Sequence, residues 1–189
     1  MKCTHPSRQF LMSSVAVLAG ALAVAGCNTK PAHPDEKSAV TNSLSTNNLS
    51  DVSVSQDQDK GVITLTGNVN SDDQKTQAAT LAKQAAPDYT IANEIGVRPP
   101  GAESQASSVA SDLDSGIEDN FKAALKGHKN LDDQSISCSA KNGTLLLKGT
   151  VKTTRQKKEA EDLAKHIPNV QQVVNEIEVK SGKHSTAKS

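Results

Sequence analysis

Between Val62 and Val69 the chain alternates. Ile63, Leu65, Gly67 and Val69 share one parity, and Val62, Thr64, Thr66 and Asn68 take the other. Eighty-two residues later Leu145, Leu147, Gly149 and Val151 repeat the first set, opposite Thr144, Leu146, Lys148 and Thr150. A period of two predicts a strand with one covered face and one wet face. The match extends from Gly61–Lys83 onto Gly143–Lys165 without a gap, and "NEIGV" at Asn93 meets "NEIEV" at Asn175 at the same offset. Two copies of one module are the simplest reading.

Around each strand the period changes to that of a helix. In the second copy Ile117, Phe121, Ala124 and Leu125 fall at helical spacing, with Asp114 or Ser115 as the expected cap and Gly127 as the stop. The equivalent stretch of the first copy, "DEKSAVTNSLS", is shorter and weaker. Asn142-Gly143 suits the positive φ of a tight hairpin between "SISCSA" and "TLLLKGTV". Ser71-x-x-Gln74 and Thr153-x-x-Gln156 are capping-box patterns that open a second helix, striped in the second copy by Ala160, Leu163, Ala164 and Ile167. A last strand carries Ile177 and Val179. It follows a helical crossover, so it is expected to run parallel to the strand before that helix. The predicted class is α+β: two tandem modules of order helix-strand-strand-helix-strand, each a three-stranded mixed sheet with two helices on one face.

The ends and joints divide the chain further. Residues 1–26 have a positive start (Lys2, Arg8), an apolar run from Phe10 to Ala25 and small residues before Cys27, the pattern of a secretory signal. Val24-Ala25-Gly26-Cys27 resembles the bacterial lipobox. That resemblance implies cleavage before Cys27, with a diacylglycerol on its thiol and an acyl group on its new N-terminus, and no other cofactor. Residues 27–34 then form a lipidated tether, and residues 28–34 reach about 20–25 Å when fully stretched. The modules occupy 35–98 and 112–180. Residues 99–111, rich in proline, glycine and serine, are expected to be a mobile linker, and 181–189 a frayed tail.

The arrangement resembles the BON family, named for bacterial osmotic-stress and nodulation proteins. The resemblance is carried by Gly143-x-x-x-Leu147-x-Gly149-x-Val151, a helix ending near Pro168-Asn169-Val170, and Val173-Val174-Asn175-Glu176-Ile177. The first copy fits at Gly61–Val69 and Asn93–Val97 but departs at "PDYTIANE", which is one residue shorter after the proline. A double module behind a lipobox looks like the outer-membrane lipoproteins that maintain envelope integrity. It implies binding to anionic phospholipid surfaces and a lipid-anchored place on the periplasmic face of the outer membrane, the latter from Asn28 by the sorting rule of enteric bacteria.

Composition narrows the chemistry. Without the leader there are nineteen basic and twenty-one acidic side chains, and the whole chain has no Trp, one Tyr and two Phe. Neither a basic footprint nor a stacking platform for nucleic acid is present. Cys138 is the one thiol left after the leader and the anchor, so no disulfide framework exists, and its place in "SISCS" fits a small buried side chain. His33, His128, His166 and His184 lack metal-ligand spacing and have no counterparts at the repeat offset. Nucleophile and phosphate-loop motifs are absent, so the reading is non-enzymatic.

Charge points to the second copy, which balances eleven bases and eleven acids where the first is net −4. Lys122 and Lys126 share a helix face. Lys152, Arg155, Lys157 and Lys158 gather at the start of the second helix, where acids are ordinarily preferred and where Asp72 and Asp73 stand in the first copy. These six are candidates for anion or phospholipid binding. Ordinary i,i+4 pairing on a solvated face is the competing reading. A protein-interaction or chaperone-like stress module, using the wet sheet face, with outer-membrane assembly or envelope proteins as its expected partners, is the alternative function.

Overall fold

Ser71 and Thr153 cap helices as their sequence patterns predict. In the computed structural model, which describes residues 32–180, the Ser71 hydroxyl accepts the Gln74 N–H at 3.3 Å and the Gln74 side chain accepts the Asn70 N–H at 2.9 Å. Thr153 and Gln156 form the complete reciprocal box. The helices they open are α2 (Asp72–Ala85) and α4 (Thr154–Lys165). The first copy also has α1 (Lys37–Thr46), β1 (Ser53–Asp57), β2 (Val62–Thr66), β3 (Asn68–Val69), β4 (Thr90–Asn93) and β5 (Gly96–Val97). The second has α3 (Glu103–Gly127), β6 (Ser135–Lys141), β7 (Thr144–Val151) and β8 (Gln172–Val179).

Both sheets have the expected mixed topology. β1 and β2 pair antiparallel, β2 and β4 parallel. β6 and β7 pair antiparallel, β7 and β8 parallel. Asn142 and Gly143 take φ of 48° and 82° in the hairpin between β6 and β7, the doubly positive geometry of a tight turn. Each repeat motif also carries, two residues before its final valine, a glycine held at positive φ. Gly67 and Gly149 have φ of 117° and 122°, and a Cβ on either would lie 2.3 Å from the Asp51 carbonyl oxygen or 1.9 Å from that of Ser135. In the first copy the ladder is interrupted there and resumes as the parallel pair β3 and β5.

Two cores follow from the predicted parity. Val40, Leu44, Ile63, Leu65, Val69, Ala78, Ala82, Tyr89 and Ile95 close the first. Ile117, Phe121, Leu131, Leu145, Leu147, Val151, Ala160, Ala164 and Ile177 close the second. Alanines on α2 and α4 let each helix approach its sheet closely. Two residues past the proline, Tyr89 fills in the first core the place where Val170 packs in the second. Its hydroxyl donates to the Pro34 carbonyl.

Two expectations are corrected. Residues 103–111 are not a loop: α3 begins at Glu103, ahead of both expected caps. After Gly101 no proline follows until Pro168, and Ala102, Ala106, Val109, Leu113, Ile117 and Phe121 make one continuous stripe at helical spacing. Asp114 caps nothing. Its carboxylate accepts the N–H groups of Asn142 and Gly143, at 2.7 and 3.0 Å.

The outer sheet faces are not wholly wet either. Val62, Ala92 and Val174 are buried together, with Leu146 against them, in a third cluster between the copies. Thr144, also assigned to the wet face, is buried and donates to the Asn93 carbonyl at 2.6 Å. The Gln172 carboxamide works as a substitute peptide unit: it accepts the Asn93 N–H at 2.9 Å and donates to the Ile91 carbonyl, closing the open edge of β4. All three clusters close within one compact unit of the described residues 32–180, which has the hydrophobic core that an independently folding domain requires.

Candidate functional site

The "NEI" identity between the copies turns out to be a structural lock. The Asn93 carboxamide donates to the Lys75 carbonyl at 2.9 Å, and that of Asn175 to the Lys157 carbonyl at 3.1 Å. Each side-chain oxygen accepts the N–H two residues on, from Ile95 and Ile177. The pattern ties the last strand to the second helix in both copies. The glutamates beside these asparagines serve the joint: Glu94 faces Lys141 at 3.6 Å, and Glu176 faces Lys60 at 2.8 Å and Lys148 at 3.8 Å. Lys60 and Asn142 correspond in the repeat, as do Glu176 and Glu94. Asn142 donates to the Glu94 carbonyl at 2.8 Å. The copies therefore meet in a pseudo-two-fold manner, each hairpin turn against the other's last strand.

The six candidate cations fall in two groups. On α3, Lys122 pairs with Glu118 at 3.1 Å and Asp119 at 3.8 Å. Hydrogen bonding to Glu118 raises the Lys122 pKa. The N–H of Ala140 and then Lys122 hold the Glu118 carboxyl below the usual carboxylate range. Lys126 is exposed in the last turn of α3, where a cation suits the carbonyl end of the helix. It has no ion pair among the described residues. At the start of α4, Lys152 meets Asp133 at 2.8 Å and Arg155 meets Glu159 at 2.8 Å. Lys157 is half-buried and Lys158 exposed, and neither forms an ion pair among the described residues. Glu161, four residues from both Lys157 and Lys165, pairs with Lys165 at 2.6 Å. Its pKa is lowered first by that contact and then by the Asn175 amide. No hydrogen bond or ion pair joins the α3 group to the α4 group among the described residues. Cys27 lies outside them.

Cys138 is half-buried, and burial raises its thiol pKa, as suits an unreactive packing residue. Among the described residues no group of His, Cys, Asp and Glu is arranged to hold a metal, and no helix is long and apolar enough to cross a membrane.

Sequence reasoning missed one feature altogether. The first turns of α3 lie along a groove of about 700 Å³. Ala106, Val109, Leu113 and Ile117 form one wall, while Val97 and Val170 contribute from the two copies. Val109 and Leu113 are 58% and 45% exposed, the largest such apolar exposures described. Lys75 and Arg98 also line the groove. Lys75 donates to the Asn142 carbonyl at 2.7 Å, and Arg98 to the Val97 carbonyl and the Asn142 side chain. Burial lowers the Lys75 pKa, and the Arg98 charge acts the same way against Asp72 and Asp114. The signal that could have revealed this groove was the apolar stripe running upstream of Asp114.

The BON domain profile matches residues 37–99 and 113–181. A protein of Anaplasma centrale, known as an uncharacterized protein in the gshII 5' region, is 27% identical over 124 residues, covering 66% of this chain and 80% of its own. Osmotically-inducible protein Y of Escherichia coli strain K12 is 27% identical over 133 residues, covering 70% of this chain. The match spans 65% of that relative's length, just under two thirds. Among solved structures, CdsD, a structural protein of the type III secretion system of Chlamydia trachomatis, aligns over 77% of this chain and 92% of its own, at 13% identity and a TM-score of 0.33. At that score the likeness carries no argument about function.

Proposed function

This chain belongs to the BON-domain family, and from that premise we propose that it is a non-enzymatic, lipid-anchored envelope protein whose second module binds anionic phospholipid surfaces and supports outer-membrane integrity under stress. One observation carries the reading. α2 and α4 open with the same cap, yet the first turn of α2 holds Asp72 and Asp73 while that of α4 holds no acid. Arg155, Lys157 and Lys158 follow instead, and Lys158 and Lys126 stand exposed without carboxylate partners among the described residues. A helix start without acids, followed by Lys157 and Lys158 with no ion pair among the described residues, suits phosphate.

The anchor makes a weak site sufficient. The chain is already fixed to its module at His33, whose N–H donates to the Gln58 carbonyl at 3.1 Å. Six residue steps lead from Cys27 to that point, a reach of about 20 Å at full extension. Lipid on Cys27 would keep the module at high effective concentration beside the bilayer. Relationship to an osmotically inducible protein supports a stress role. The alternative, a protein-interaction module working through its wet sheet face, loses Val62, Ala92 and Val174 of that face to the contact between the copies.

Flotation tests the proposal. Residues 31–189 are mixed with vesicles of phosphatidylglycerol or of phosphatidylcholine. Binding is expected to the anionic vesicles alone and to fade as salt shortens the Debye length from about 10 Å at 0.1 M. Replacing Lys126 and Lys158 by Glu is expected to abolish it. Equal binding to both vesicles, or no effect of the double variant, overturns the assignment. Mass spectrometry of the native N-terminus is expected to show acylated Cys27. A free N-terminus elsewhere removes the anchor.

A further inference from the structure

We infer that the groove beside α3 binds a single-chain fatty carboxylate, its acyl chain along the helix and its head at Arg98 and Lys75. The inference goes beyond the vesicle-binding reading and does not depend on it, since it uses neither Lys126 nor the α4 cations.

Apolar shape comes first. The stripe from Ala102 to Ile117 runs for about 22 Å along α3. A bilayer core of about 30 Å shares two chain lengths, so one acyl chain fits against the stripe with room for its head. The groove, about 700 Å³, lies within the ordinary range for small-molecule sites. Exposed Val109 and Leu113 gain a covered surface only when something apolar lies beside them.

Charge selects the head. Among the described residues neither Lys75 nor Arg98 forms a salt bridge. Each spends donors on neutral oxygens and keeps others free: the ammonium has three donors and the guanidinium five. Of the two acids on the lining, Asp114 has both oxygens taken by the Asn142 and Gly143 N–H groups. Asp72 stands exposed in the first turn of α2, where the helix end favours it. A planar two-oxygen anion matches the guanidinium fork.

The repeat supplies an internal control. The pseudo-two-fold mate of this groove is lined by Lys60, Lys157 and Val179, the counterparts of Asn142, Lys75 and Val97. There Lys60 is bridged to Glu176 at 2.8 Å, and no helical apolar wall is among the lining residues. The two grooves differ in the two features that a fatty carboxylate needs.

Palmitate, kept below its self-association threshold, is titrated into residues 31–189, with native mass spectrometry for stoichiometry and calorimetry for affinity. One palmitate per chain is expected. Arg98→Gln removes a charge-assisted contact and is expected to weaken palmitate by roughly tenfold, while leaving hexadecanol, which has no charge, unaffected. Val109→Gln with Leu113→Gln is expected to weaken both ligands without lowering the melting temperature, because both residues are exposed. The Lys126 and Lys158 glutamate variant is expected to keep palmitate binding while losing flotation. The inference is overturned by the absence of a one-to-one complex, by unchanged palmitate affinity in both groove variants, or by lysophosphatidylglycerol binding where palmitate does not.

Discussion

The two copies share a fold and differ in what surrounds it. Both have the positive-φ strand glycine, the asparagine lock, the helix cap and the mixed sheet. They part at the helix leading in. α1 spans ten residues and is preceded by a strap, in which the His33 ring sits over Gly61 at 5.2 Å from the Tyr89 ring and Pro34 receives the Tyr89 hydroxyl. α3 spans twenty-five and walls a groove. They part again in the first turn after the cap, acidic in one copy and basic in the other. What the repeat preserves is explained by backbone and packing, and what it varies is where ligand chemistry can enter.

The largest effect is expected where the copies agree most. Gly149→Ala puts a methyl group 1.9 Å from the Ser135 carbonyl oxygen at φ 122°. It is expected to cost on the order of 3–5 kcal/mol. Gly67→Ala, with 2.3 Å to the Asp51 carbonyl, is expected to cost less. Gly116 lies in α3 with open space around it, and its change to Ala is expected to stabilise by about 0.5–1 kcal/mol. Denaturant unfolding ranks the three, and equal losses at Gly149 and Gly116 break the account of the close carbonyl contact at the strand glycine.

The asparagine locks come next. Asn175→Ala leaves the Lys157 carbonyl and the Ile177 N–H without their side-chain partners, and it is expected to cost about 1–3 kcal/mol. Asn93→Ala does the same to Lys75 and Ile95, and it also lies at the contact between the copies. The Asn93 variant is therefore expected to loosen both the module and the joint. Gln172→Ala separates these effects. It uncovers the edge of β4 and leaves both locks intact. Hydrogen exchange is expected to speed up at the Asn93 amide, with little change along β6. Uniform protection after the change would mean that the edge is closed by something other than this carboxamide.

Much of this comparison was legible in the chain. Parity placed Ile63, Leu65, Leu145 and Leu147 in the two cores. The repeat gave two modules, Asn142-Gly143 gave the turn, and Ser71 and Thr153 gave the caps. The errors came from long-range partners. Asp114 has the sequence signature of a local cap, a short acid before an apolar run, whereas its partners lie at the turn 28 residues on. Alternation within one copy marks the outer face as wet, yet Val62, Leu146 and Val174 are apolar members of that face and need a second surface to cover them. For the candidate cations, the Arg155 pairing with Glu159 was readable at four residues' spacing. That of Lys152 with Asp133, nineteen residues apart, was not.

The smallest effect concerns the acid side of stability, again by contrast between the copies. Glu118 reaches across from α3 to accept the Ala140 N–H at 3.0 Å and pair with Lys122. The position 82 residues earlier is occupied by Glu36, which instead donates its own N–H to the Gln56 side chain. Because the Glu118 pKa is lowered on folding, the folded state holds fewer protons than the unfolded state while that carboxyl titrates. Its contribution is present above the unfolded carboxylate pKa, about 4.3, and is lost as pH falls through the lower folded value. Glu118→Gln is expected to leave stability below that window nearly unchanged, to lower it slightly at neutral pH, and so to flatten the slope between. Parallel curves for the two proteins would show that the carboxylate bridging α3 to β6 contributes nothing to folding beyond its hydrogen bond.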